Sequence, residues 1–143
     1  VTFAPRSVMG IDLTDLCLDQ GIYKIKAFLA FVGTDQRAGN IMLLSLRHLQ
    51  VESGVGYHLL ENTAPMLSYL TETCWINRLC QFCGGQGITI TVLFARHPLA
   101  LSGTNDVLLM EVAATLNQKP RELDDDINLV RMYLQVTTVS NIT

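Results

Sequence analysis

Charge is scarce in this chain. Asp, Glu, Lys and Arg make up 16 % of its 143 residues, where about 25 % is usual for a globular domain. Apolar residues reach 49 %. Intrinsic disorder is therefore excluded as a description, because disordered segments are apolar-poor and charge-rich. A long uninterrupted apolar run is also missing. Each apolar stretch meets a charge within about a dozen residues, short of the roughly 20 needed to cross a bilayer. Residues 41–49, for example, already contain Arg47 and His48, and no membrane span is expected.

Positive charge is not gathered anywhere along the sequence. The ten lysines and arginines are scattered, the net charge is −3 and the pI is about 5.5. A phosphate-binding protein usually concentrates its cations on one face, so nucleic acid is a secondary partner class. No basic region followed by an apolar run opens the chain, which argues against a signal peptide. The chain starts Val1-Thr2-Phe3-Ala4-Pro5 and closes on Asn141-Ile142-Thr143. It reads as one helical domain, 1–143, cut from something longer. The apolar surplus points to a protein partner or to other domains of the parent chain.

What is present is helical periodicity. Residues 12–19 can open a short helix capped by Asp12 or Thr14. Ile22, Ile25, Leu29 and Val32 recur at helical spacing, and Gly33 supplies a stop. Thr34 and Asp35 offer caps for a second helix over 36–53, with Ile41, Leu44, His48 and Val51 on one stripe and Gly54 ending it. The two read as a helical hairpin. A third helix, capped by Thr71 or Thr73, places Trp75, Leu79 and Phe82 together and ends at Gly84 and Gly85. Residues 88–94 alternate and are β-branched, so they read as a strand. Its mate is either the 136–142 tail or 55–60, because a lone strand leaves its ladder groups unpaired.

Ser102, Thr104, Asn105 and Asp106 can cap a fourth helix running to about Asn117. Pro120 suits the first turn of a fifth, in which Leu123, Ile127, Val130 and Leu134 form the apolar stripe. The expected fold is mainly α, a compact bundle of about five helices with one short β element. Its core should hold Trp75, Leu79, Phe82, Leu44, Leu46, Leu108, Ile127, Val130 and Leu134.

The local motif with most chemistry is Cys80-Gln81-Phe82-Cys83-Gly84-Gly85-Gln86-Gly87. It matches the C-x-x-C-x-G-x-G repeat of a zinc-binding region in heat-shock co-chaperones, where a closed tetrahedral site needs two such repeats. Only one copy is present here. A Cys74, Cys80, Cys83 and His97 set can be drawn, but its spacing fits no standard finger. Cys80 and Cys83 fall on the buried side of their helix, where cysteine acts as a small hydrophobe. Three thiols on one helix, with Cys17 far away, are not a secreted disulfide framework, so a reduced, intracellular (cytoplasmic or nuclear) setting is expected. His48, His58 and His97 are isolated and carry no nucleophile signature. The acidic run from Glu122 to Asp126 lacks the glycine turn and alternate ligands of a calcium loop, so it reads as a solvated helix start. No catalytic, cofactor-binding or metal residue is assigned, and the chain is expected not to be an enzyme.

Four segments occur together in a recognisable order: 37–54, Trp75-Ile76-Asn77-Arg78-Leu79-Cys80-Gln81-Phe82, Asn105-Asp106-Val107-Leu108-Leu109-Met110-Glu111, and 127–142. Over about residues 22–142 the chain resembles an uncharacterised helical region that accompanies the reverse transcriptase in retroelement proteins of microbial eukaryotes. Where that family tends to carry Ser-Asp-Ile, this chain has Ser140-Asn141-Ile142. The resemblance implies an accessory module of a mobile-element polyprotein, without catalytic residues of its own. The polymerase chemistry needs a carboxylate cluster on a strand hairpin, which the sequence does not display. A structural or protein-interaction domain is thus the leading functional expectation, with a helical nucleic-acid-binding module or a small zinc-stabilised domain as rivals.

Overall fold

A computed structural model describes residues 15–34, 36–62, 74–93, 105–116 and 122–143. Among these residues the fold is mainly helical: α1 (Leu16–Phe31), α2 (Arg37–Ser53), α3 (Trp75–Gln86), α4 (Leu109–Thr115) and α5 (Glu122–Leu134), with a 3-10 turn at Val139–Asn141. The chain divides into two compact units, Val1–Met42 and Leu43–Thr143, with the boundary inside α2. No described helix is long and apolar enough to cross a membrane.

In the first unit α1 is one continuous helix, starting later than Asp12 or Thr14 would place it. Asp15 is the cap, its carboxylate accepting from the amides of Cys17 and Leu18 at 3.0 and 3.3 Å, which satisfies donors the first turn leaves bare. Phe28 and Gly21 are its buried residues. Gly33, at φ 95°, ends it as expected. The turn into α2 brings backbone against backbone: a Cβ on Gly39 would lie 2.1 Å from the carbonyl oxygen of Phe31.

The second unit holds the larger core, built from Leu49, Val55, Leu60, Ile76, Leu79, Cys83, Ile90, Leu108, Met110 and Ala113. Residues 54–60 fold back over the end of α2. Gln50 holds them there, its amide donating to the carbonyls of Val55 (2.8 Å) and Tyr57 (2.7 Å) while its oxygen accepts from the amide of Leu59 at 3.3 Å.

α3 ends at Gly87 rather than at Gly84 or Gly85. Gly87 is left-handed at φ 66°, its amide donates to the Gly84 carbonyl, and that of Ile88 donates to Cys83 at 2.8 Å. This pair of bonds is the Schellman arrangement, which needs glycine at the first residue past the helix. Gly84 and Gly85 sit one turn too early to make it. Thr71 and Thr73 lie outside the described residues, and Cys74 takes the cap position, its Sγ accepting from the Asn77 amide at 3.4 Å.

Residues 88–93 are not a strand. They run irregularly, tied by the Ile90 amide to the Leu60 carbonyl at 2.8 Å. The tail that was one candidate mate pairs elsewhere: Leu108 and Thr138 form an isolated antiparallel bridge, with Leu109 donating to Thr137 and Val139 to Val107, both at 3.0 Å. Among the described residues this single bridge, and not residues 88–93, is the β pairing. Asp106 does not cap α4. Its carboxylate accepts from the hydroxyl of Ser140 at 2.6 Å and from the Ser140 amide at 3.2 Å, fastening the tail instead.

The expected core needs correcting helix by helix. Leu79 and Leu108 are buried, but Trp75, Leu44, Val130 and Leu134 are exposed, and Phe82, Leu46 and Ile127 are half-buried. On α2 the stripe of Ile41, Leu44, His48 and Val51 faces outward, and Leu49, Gln50 and Ser53 are buried instead. On α5 the buried residues are Asn128 and Arg131. On α5 the cause is the demand of α2's C-terminal carbonyls for donors, which Arg131 meets while Val130 and Leu134 of the expected stripe turn outward.

Candidate functional site

Among the described residues of the second unit, a buried polar cluster lies where α2 ends. Arg131 is buried, its Nη2 donating to the carbonyls of Val51 and Glu52 at 2.8 and 2.5 Å and its Nε to Asn128 Oδ1 at 2.8 Å. A guanidinium at a helix C-terminus neutralises the partial negative charge of the last carbonyls. Gly54, at φ 68°, makes room for it: a Cβ there would stand 2.6 Å from the guanidinium carbon. Ser53 donates its hydroxyl to the Gln50 carbonyl at 2.7 Å. Nearby, Glu111 on α4 accepts from the Gly56 amide at 2.9 Å. Burial first, and the Glu111 carboxylate second, push the Tyr57 phenol above its usual range. Among the described residues, Arg131, Ser53 and Glu111 each bond to backbone groups of another segment or turn, so these bonds act as a clamp.

The thiols are free. Cys80 is pushed up to about 12, chiefly by burial and then by the neighbouring Cys83 and Cys74. Burial raises Cys83 as well. The nucleophilic form of a cysteine is the thiolate, so at neutral pH in the metal-free chain burial keeps these two thiols in the unreactive, protonated form. Among the described residues no group of three or more His, Cys, Asp or Glu side chains converges to hold a metal ion. His97 lies outside those residues. His48 is on the exposed side of α2, its Nδ1 3.8 Å from Glu52, and His58 is half-buried in the loop after α2.

The feature that sequence reading missed is the outer face of α5. At about 100° per residue, Leu129, Val130, Tyr133 and Leu134 share one sector of the helix, and all four are exposed, Leu129 by 69 % and Tyr133 by 86 %. Glu122 and Asp126 continue the same sector toward the N-terminus and are also exposed. The face is thus acidic over its first turns and apolar over its last. Its signal in the sequence was Arg131, a long cation among apolar neighbours in the last turn. No family model, curated protein or solved structure matches this chain.

Proposed function

We propose that this chain is a non-catalytic protein-interaction domain whose docking surface is the outer face of α5. One observation carries the reading: α5 buries Asn128 and Arg131 and leaves Leu129, Val130, Tyr133 and Leu134 in water. Contiguous apolar surface of this kind gains free energy when a partner covers it. The acidic half of the face favours an occupant with lysine or arginine beside its apolar stripe, an amphipathic basic helix laid in contact with α5. It also disfavours nucleic acid, because Glu122, Asp125 and Asp126 repel phosphate. In the setting that the sequence resemblance implies, the domain is an accessory module of an intracellular mobile-element polyprotein, and its partner is another segment of that assembly.

A synthetic helical peptide of leucine and lysine heptads is the direct probe, followed by fluorescence anisotropy. Binding is expected to weaken with added salt and to drop about ten-fold or more on Leu129→Asp or Tyr133→Asp. A matched leucine–glutamate peptide should not bind. Equal binding of the two peptides, or binding indifferent to both aspartate variants, would remove the proposal.

A further inference from the structure

The first unit carries a second apolar seam, on α1, which the α5 reading does not use. Leu18, Ile22, Ile25, Leu29 and Val32 follow one another at steps of four, three, four and three residues. That alternation is the d and a positions of a heptad, with Ile22 and Leu29 at a and Leu18, Ile25 and Val32 at d. Leu18, Ile22 and Leu29 are 41 %, 37 % and 59 % exposed, and Ile25 and Val32 are half-buried. Along one edge of the seam run Gly21 and Phe28, at the g positions, and these are buried. Along the other edge run Asp19 and Lys26, at the e positions, with Lys26 exposed and its ammonium 5.9 Å from the centre of the Tyr23 ring.

We infer that α1 pairs with α1 of a second copy of this chain as a short antiparallel coiled coil. Setting Ile22 opposite Ile25 of the second copy also sets Leu18 opposite Leu29, so each a residue meets a d residue through four layers. The same register brings Asp19 of one copy within about two residues' rise of Lys26 of the other, roughly 3 Å along the axis. The symmetry repeats this pair, so opposite charges meet twice. A parallel pairing would set Lys26 against Gly21 or Phe28 and gain no ion pair. Charge complementarity therefore selects both the occupant and its direction. α1 has 16 residues, about 24 Å of helix, so the interface lies at or below the roughly 1,000 Å² of a stable complex and the dimer is weak.

Sedimentation equilibrium of the whole chain, loaded from about 5 to 500 µM to bracket a weak complex, tests this. The average mass should climb from 15.8 kDa toward twice that value. Leu29→Asp should hold it at the monomer value with the circular dichroism unchanged. Asp19→Lys should weaken association by about five-fold or more, since it sets like charges face to face. Asp19→Lys combined with Lys26→Asp should restore it, because the swap re-creates both pairs. A mass fixed at the monomer value throughout would overturn the inference. So would Leu29→Asp lowering the helix content, which would mean that the seam is packed against its own chain, and so would a double swap that fails to rescue.

Discussion

α3 and α5 are helices of nearly equal length, 12 and 13 residues, and they use their residues in opposite ways. α3 turns Ile76, Leu79 and Cys83 inward, with Asn77 the one buried polar side chain beside them, and closes with a glycine. α5 turns Asn128 and Arg131 inward, leaves the apolar residues of its C-terminal half outside, and closes with Gln135 in the left-handed region at φ 54°. α3 is held by exclusion of water, α5 by a charged clamp on another helix's end. Which face of a helix is buried is thus decided by the neighbour's needs as much as by the helix's own apolar pattern.

The sharpest way to break the contrast is to truncate one leucine in each. Leu79→Ala should cost about 3 kcal/mol in urea unfolding, as fully buried leucines do, whereas Leu129→Ala should fall within about 0.5 kcal/mol of the parent. Equal losses would mean that the two helices are buried alike. Next in size is the clamp. Arg131→Met should cost about 2 kcal/mol, because it strips donors from two carbonyls while keeping most of the side-chain volume. At Gly54, an alanine collides with the guanidinium and also strains a positive φ, so it should lower the melting temperature as well.

The thiols give a pH test of α3. Cys80 has a folded value raised from 9.0 to about 12, so the fold prefers the protonated form. That preference adds stability below about pH 9, and the contribution is lost as pH climbs from 9 toward 12. Thermal melts across this window should fall for the parent and fall less for Cys80→Ala. Some decline should remain in the variant, since Cys83 and Tyr57 are raised too. The smallest effect belongs to the end of α5, where Gln135→Gly should stabilise by about 1 kcal/mol by relieving a backbone conformation that side chains disfavour.

The helices themselves were legible. Residues 36–53 were read as the second helix and α2 spans Arg37–Ser53, because Gly33 and Gly54 punctuate it. Its buried face was not legible, since Ile41, Met42, Leu43, Leu44, Leu46, Leu49 and Val51 leave almost no side without an apolar residue. For α5 the stripe was clear and its orientation was not: the reason to bury Arg131 is a pair of carbonyls on α2, which no local pattern displays. The end of α5 was hidden in the same way, as glutamine is not a stop signal. The docking face followed from that one rotation and was invisible until Arg131 had been placed.

The bonds from Arg131 to Val51 and Glu52 join positions 80 and 79 residues apart. Closing so wide a loop is entropically expensive, and contacts of this reach slow folding. During synthesis the end of α2 stands unfinished until residue 131 has left the ribosome. A nascent chain stalled before residue 131 should therefore fray at Val51 and Glu52, and the second unit should lock only as α5 emerges.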